Sequence, residues 1–380
     1  MRVMSKVVNV NLGERSYAIH IGSGILTRLL PPDGREGGQA TLGKLSEKIS
    51  KGRNGLLVSD ATVVSLYGGA CSAAFPQLGR GIVPAGEASK DGRWLFHLYE
   101  KAVEQGLDRK SFVVALGGGV VGDLAGFMAA TYLRGIPYIQ VPTTLLAMVD
   151  SAVGGKTGIN LPQGKNLVGS FHQPALVVAD VDTLKTLPPR ELVSGLAEVL
   201  KYGVIRDAKL FVLLENNTQK ILKGDAELLE EIIARSCQIK ADVVHADERE
   251  GGLRAILNFG HTLGHAIETV TGYGKYMHGE AISIGMVFAA RVSCEVKGMP
   301  KKDCERLIRL LAAFGLPVQA PECDWQVLRT VMGVDKKSTA GKPKFVLAER
   351  IGSVAFGCEV AEDLLQKVWS TKEPLLQHGF

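Results

Sequence analysis

A chain of 380 residues with 44 Lys and Arg against 39 Asp and Glu is long enough for two cores. Its net charge of +5 is scattered, and no nucleic-acid partner is expected. Residues 281–290, the longest apolar run, are too few to span a bilayer, so no membrane segment is expected either.

The N-terminal MRVMSKVVNVNLG lacks both the apolar core of a secretory signal and the Arg- and Ser-rich character of a transit peptide. Six cysteines, at 71, 237, 294, 304, 323 and 358, form no CxxC pair and no regular framework. Both features predict a cytoplasmic protein. Residues 6–10 and 16–21 read as a β-hairpin, and 31–51, rich in Gly and charge, as a loop or short exposed helix. From Gly55, apolar runs at 56–59, 81–83, 112–116, 136–141 and 175–179 alternate with amphipathic stretches such as 94–105. That alternation predicts a parallel sheet with helices on its faces, binding ligands outside the carboxyl ends of its strands.

Residues 116–123 read LGGGVVGD after one of these strands and at the start of a helix. Gly117, Gly119 and Gly122 satisfy G-x-G-x-x-G, whose glycines let backbone N–H groups approach a pyrophosphate at a helix N-terminus. The position is later than the first strand, where this fingerprint usually stands, and a tight strand-to-helix turn would look the same. Residues 150–166, DSAVGGKTGINLPQGKN, place Lys156 and Lys165 among glycines, a composition suited to phosphate or carboxylate. The Walker register fails, because Asp150 stands where a glycine is required, and the plainer reading is a surface loop.

After Pro188 and Pro189 the periodicity turns helical, over 191–204, 226–245, 261–270, 280–296 and 301–314. This predicts two domains, 1–188 and 189–380. On the first of these helices Leu192, Leu196, Val199 and Gly203 form the apolar stripe, leaving Glu198 and Lys201 as an i,i+3 pair that reads as solvated surface charge. Lys240 instead falls within the stripe of its helix, four residues after Ser236 and seven after Ile233. Lysine is rarely buried unpaired, so Lys240 either snorkels outward or points into an anion-binding cleft.

Residues 258–268, NFGHTLGHAIE, and the triplet His278-Gly279-Glu280 gather three of the eight histidines. If Leu263, Ile267 and Val270 face the core, His261, His265 and Glu268 share the opposite face at i, i+4, i+7. Zinc takes imidazole nitrogen and carboxylate oxygen, with three protein ligands and an open position in catalytic sites. The spacing is not HExxH, which removes the zincin proteases. Spacing alone leaves open which two histidines would bind and where a carboxylate would come from, and histidines at i, i+4 also simply pack or cap.

The motifs GLDRKSFVVALGGGVVGD, TYLRG, VPTTLLAMVDSAVGGKTGIN, GKNLVGSF, LPPRELVSGLAEVLKYG, KADVVHADERE, LRAILNFGHTLGHAIE and HGEAISIGM occur in this order. Together, over about 9–357, they resemble the 3-dehydroquinate synthase family of sugar-phosphate cyclases. The resemblance implies an α/β N-terminal domain with a Rossmann-like parallel sheet and a mainly α-helical C-terminal domain, the dehydroquinate synthase-like fold. It implies Zn2+ or Co2+ on Glu198, His261 and His278. It implies NAD on Asp60, Glu87, Lys90, Gly118, Gly119, Asp123, Thr143, Thr144, Asp150, Lys165, Thr183 and Thr186.

The same resemblance gives Lys156, Lys240 and Arg254 to the substrate carboxylate and neighbouring hydroxyls. Asn166, Lys201, Asn258 and His265 fall to its phosphate, and Glu250 joins the catalytic set. Arg134 would reach in from the partner of a homodimer, and a further phosphate-binding lysine would be Lys336 or Lys337. The implied reaction, in the shikimate pathway of aromatic amino acid synthesis, turns a phosphorylated sugar acid, 3-deoxy-D-arabino-heptulosonate 7-phosphate, into 3-dehydroquinate and phosphate. Transient oxidation by NAD, phosphate elimination with the phosphate as base, re-reduction and an intramolecular aldol step follow one another.

Three rivals are distinguishable. An NAD- and metal-dependent polyol dehydrogenase would release NADH and has no use for the lysine and arginine set. A cyclase acting on a sugar phosphate without a carboxylate would lose some of Lys240, Arg254 and Asn258. A non-enzymatic NAD-binding protein would turn over no phosphosugar.

Overall fold

Strand β5 (Phe112–Gly117) shows why its neighbourhood is a sheet covered on both faces. Val113 and Ala115 enter one apolar cluster with Leu56, Val58 and Leu98, while Phe112, Val114 and Leu116 enter another with Leu57, Phe75 and Ile139. Side chains alternate across the pleat, so a strand buried on both sides reads as a continuous apolar run. The computed structural model describes residues 5–28, 44, 46–75, 77–272, 274–334 and 343–371. Most of the expected 31–51 segment, Lys336 and Lys337 lie outside the described residues.

The chain forms two units, Met1–Pro188 with Ala226–His245, and Pro189–Asp225 with Ala246–Phe380. The long helix Ala226–Ala246, expected with the helical domain, thus groups with the first unit. Its side chains explain this: Glu230 accepts from Ser23 N–H at 2.9 Å, Cys237 Sγ donates to Met148 O at 3.2 Å, and Lys240 bonds Asp150.

In the first unit, β1 (Lys6–Val10), β2 (Tyr17–Gly22), β3 (Gly55–Asp60), β4 (Leu78–Val83), β5, β6 (Tyr138–Pro142) and β9 (Leu176–Asp180) form one sheet. The order is β1-β2-β9-β6-β5-β3-β4, with β1 antiparallel to β2 and the other pairs parallel. From β3 the chain moves to β4 on one side, then to β5 on the other. Such a reversal opens a crevice at the carboxyl ends of β3 and β5. The surface-loop reading of 150–166 is corrected here. Ala147–Ser151 is a π-helical turn, and β7 (Lys156–Leu161) pairs antiparallel with β8 (Gly164–Phe171) around Pro162 and Gln163. Gly-rich composition concealed a hairpin whose register is held by Thr157 and Ile159 facing inward.

In the second unit, helix Pro189–Ile205 opens on proline, whose missing N–H costs nothing at that position. Helices Ala208–Leu222, His261–Val270, His278–Val296, Lys301–Ala313, Trp325–Val334 and Glu362–Ser370 follow, with hairpin β10 (Phe345–Arg350) and β11 (Ser353–Cys358). Phe288 lies 6.1–6.4 Å from the rings of Trp325, Phe345 and Trp369, in a core with Leu263, Ile267 and Ile284. Among the described residues no helix is long and apolar enough to cross a membrane.

Candidate metal centre and nucleotide crevice

The metal candidates of the second unit are brought together by two glycines. A Cβ on Gly279 would lie 1.9 Å from Ser194 O, and one on Gly285 would lie 1.9 Å from Gly260 O. Only glycine lets helix His278–Val296 press against the backbones of its two neighbours, and Gly279 N–H also donates to Ser194 Oγ at 3.0 Å. His278 and His261, each at the start of its helix, thereby meet Glu198. Glu198 Oε1 stands 3.4 Å from His261 Nε2 and 3.7 Å from His278 Nε2. Ligands on a tetrahedral zinc, bonded at about 2.0–2.2 Å, stand about 3.4 Å apart, so this donor set fits such an ion.

His261 Nδ1 lies 3.1 Å from Phe259 O, which places its proton there and aims the Nε2 lone pair at Glu198. Burial alone would lower the His278 pKa, but hydrogen bonds to Glu198 and Glu268 and their charge outweigh it and raise it to about 10. Glu198 and Glu268 thus set a carboxylate at each nitrogen of this imidazole. The structure groups His261 with Glu198 and His278, while His265, its ring 5.2 Å from His261, converges with Glu268 and His278.

One reading of these helices is corrected. Glu198 and Lys201 are not a solvated pair: they are 0% and 1% exposed and ion-paired. Helix Pro189–Ile205 is buried from Ser194 to Ile205, so its polar side faces protein. A buried pair of this kind often contributes no more than an apolar replacement would, whereas deleting one partner costs about 3–5 kcal/mol. On helix His261–Val270, His261 and Glu268 are each 9% exposed and His265 is half-buried.

Arg254 is 2% exposed in the 3-10 turn Leu253–Asn258, with Nη1 donating to Glu248 O at 2.6 Å and Nε 3.4 Å from Glu250. Asn258, half-buried, ends that turn. Asp247, unassigned in the sequence reading, shapes the loop by accepting from the N–H groups of Gly251, Gly252 and Arg254 at 2.8–2.9 Å. These bonds, led by that from Arg254, hold its carboxyl below the usual range.

In the first unit Asp60, Gly118, Gly119, Thr143, Thr144, Thr183 and Thr186 stand at or just beyond the carboxyl ends of β3, β5, β6 and β9, whereas Glu87 and Lys90 follow β4 and Lys165 lies on β8. Asp60 ends β3 and caps the next helix through Thr62 and Val63 N–H, at 2.9 and 3.0 Å. Gly118 caps helix Gly119–Thr131 without any side-chain acceptor, which leaves its first N–H groups for an anion. Thr143 and Thr144 follow β6, and Thr143 Oγ1 is buried with no hydrogen-bond partner among the described residues. An orphaned hydroxyl beside an uncapped helix start fits a bound nucleotide. Thr183 and Thr186 follow β9, where Thr183 Oγ1 donates to Asp180 O and Thr186 pairs with Tyr67 OH at 2.6 Å.

Asn160 was missed, although it stands inside a motif quoted above. Its N–H donates to Lys90 O at 2.7 Å and its Nδ2 to Glu87 Oε1 at 2.7 Å, while its Oδ1 accepts from Asn166 N–H at 2.9 Å. Lys90 in turn pairs with Asp123, whose carboxyl is raised by burial against the pull of that lysine. Lys156 and Asn166 are exposed on the hairpin and Lys165 is half-buried. Lys240, 6% exposed, donates to Asp150 O and Oδ1 at 2.6 and 2.7 Å. Its ammonium is held within the protein and does not snorkel. Arg134 is exposed on a turn where it and Leu133 hold φ of 69° and 50°.

A doubly wound sheet with an open helix start at its switch point, and a helical unit with a buried two-histidine, one-carboxylate cluster, define an enzyme using a nucleotide and a metal. Residues 80–194 match the family model for the 3-dehydroquinate synthase N-terminal domain, and 195–338 the one for its C-terminal domain. The 3-dehydroquinate synthase of Thermodesulfovibrio yellowstonii is 48% identical over 366 residues, 95% of this chain and 98% of that one. The chain belongs to the 3-dehydroquinate synthase family.

Among solved structures, 2-epi-5-epi-valiolone synthase from Streptomyces hygroscopicus subsp. jinggangensis, with NAD+ and Zn2+ bound, superposes with a TM-score of 0.82 at 28% identity. That match covers 94% of this chain and 97% of the other. 2-Deoxy-scyllo-inosose synthase, complexed with carbaglucose-6-phosphate, NAD+ and Co2+, gives 0.81 at 27% identity, covering 96% and 99%.

Proposed function

We propose that this chain is a cytoplasmic 3-dehydroquinate synthase that converts 3-deoxy-D-arabino-heptulosonate 7-phosphate into 3-dehydroquinate and phosphate. The observation that carries the reading is Glu198, fully buried and facing the Nε2 atoms of His261 and His278, in a chain of this family. Zn2+ or Co2+ held by these three residues supplies Lewis acidity, which lowers the pKa of a hydroxyl it polarises. NAD, held by Asp60, Glu87, Lys90, Gly118, Gly119, Asp123, Thr143, Thr144, Asp150, Lys165, Thr183 and Thr186, supplies reversible hydride removal.

The chain's own cations do the positioning. Lys156, Lys240 and Arg254 bind the carboxylate and adjacent hydroxyls, and Lys201, Asn166, Asn258 and His265 the phosphate, with Glu250 orienting Arg254. Fixing both anionic ends of a flexible sugar acid supplies orientation and stabilises the charge that develops as phosphate leaves. The presence of Lys240, Arg254 and Asn258 together favours this substrate over sugar phosphates lacking a carboxylate. Arg134, exposed on a strained turn, supports a homodimer in which it serves the partner's site. All six cysteines are free, in keeping with a reducing cytoplasm.

Incubation with the heptulosonate phosphate and NAD is expected to release phosphate and dehydroquinate in equal amounts without net NADH, and a chelator to stop both. Accumulating NADH, or release of no phosphate, would overturn the reading. Lys240→Ala is expected to lower kcat/KM by about 10–100-fold, the worth of about 1.5–3 kcal/mol for a charge-assisted hydrogen bond. Its melting temperature should fall less than the loss of a fully enclosed ion pair would cause, because the Asp150 side chain is 32% exposed and water can reach its carboxylate. Unaltered kinetics would remove Lys240 from the substrate site.

A further inference from the structure

Glu268 belongs to the histidine-rich helix but has no place in the function just described. It is 9% exposed, seven residues after His261, and its Oε2 lies 3.4 Å from His278 Nδ1. The other nitrogen of His278, Nε2, faces Glu198 Oε1 at 3.7 Å. One imidazole thus lies between two carboxylates, with one at each nitrogen. A neutral imidazole that offers Nε2 to a metal must carry its proton on Nδ1, and a buried N–H needs an acceptor. His261 has such an acceptor in Phe259 O.

We propose that Glu268 is a positioning residue of the metal centre, its carboxylate accepting the Nδ1–H of His278 and so fixing both tautomer and ring orientation. The inference rests on Glu198, His261 and His278 being the metal ligands, as proposed above. A charged acceptor also polarises the imidazole more than a backbone carbonyl does, which makes His278 the stronger donor of the two histidines. His265, Glu268 and His278 also converge with ligand atoms within 4.8 Å, the arrangement of a second cation site sharing His278. That alternative demands metal on both ring nitrogens, hence loss of the second imidazole proton. The hydrogen bond to Glu268 requires no such loss.

The test uses the full chain, stripped by chelator, with Zn2+ affinity read by competition against a chromophoric chelator and Co2+ binding read by visible absorption. Glu268→Ala is expected to weaken Zn2+ binding by about 10–100-fold, the usual worth of such a partner. Glu268→Gln, whose amide oxygen can accept the same proton without charge, should recover part of that loss. Both should shift the Co2+ bands. If the alanine chain does not fold, the near-isosteric glutamine variant carries the test, with an expected loss of about tenfold.

Unchanged affinity and spectrum in the glutamine variant would overturn the proposal. Two Zn2+ per wild-type chain, with one lost in either variant, would overturn it in favour of the second cation site. Failure of the ligand assignment itself shows differently, as a wild-type chain that binds no metal or a His261→Ala chain that binds it normally.

Discussion

A His261→Ala chain is expected to lose metal and turnover together, whereas His265→Ala keeps the metal and loses turnover. His261 Nε2 is 3.4 Å from Glu198 and lies on the side where His278 Nε2 also points, so its removal takes away one of three donors. Lewis-acid stabilisation is worth several kcal/mol, and each 1.36 kcal/mol is tenfold, so kcat should fall by about a thousandfold or more. His265 converges with Glu268 and His278, outside the Glu198, His261 and His278 group, and its loss should leave metal content near one per chain. Metal analysis of both purified variants beside their kinetics decides the matter. Equal loss of metal in the two would mean that the helix carries a paired His261–His265 site, the arrangement its i, i+4 spacing first suggested.

The second large effect is expected from Gly285→Ala. A methyl group there would stand 1.9 Å from a backbone oxygen, Gly260 O, and no rotation of a side chain can relieve it. Overpacking typically costs about 1–3 kcal/mol, and a clash with backbone belongs at the upper end. At about 2–4 °C per kcal/mol, the metal-carrying unit should melt several degrees lower. Because Gly260 immediately precedes His261, the same displacement moves a proposed ligand, so zinc affinity should fall as well. Calorimetry with and without Zn2+ measures both effects. An alanine chain with the wild-type melting temperature and zinc affinity would show that helix contact at Gly285 does not set the geometry of the centre.

The alternation of strands and helices in the first unit was legible because every buried strand there is a short apolar run closed by turn residues. The loop after β5 was legible for the same reason, its glycines standing where strand passes into helix. Hairpin β7–β8 was not, since glycine and lysine composition masks the alternation of Thr157 and Ile159. Helix Ala226–Ala246 was legible as a helix but not as a part of the first unit. Its attachment depends on Cys237, Lys240 and Glu230 meeting residues far away in the chain. Lys240 announced itself by breaking an apolar stripe, whereas Asn160 and Asp247 gave no such sign. Polar residues in loops look alike until the backbone groups they hold are known.

By itself the sequence determined the classes of chemistry at hand: a glycine turn for an anion, a histidine and carboxylate inventory for a metal, and lysines where solvent was not expected. These follow from residue type and short-range period, which survive in any fold. Tertiary structure alone decided which groups meet. It took Glu198 and Lys201, read as surface charge, into the buried stretch of their helix, and it set His278 between Glu198 and Glu268. Period can say which face of a helix a side chain occupies. What that face meets depends on how closely another helix approaches, and here two glycines on a distant segment set that approach.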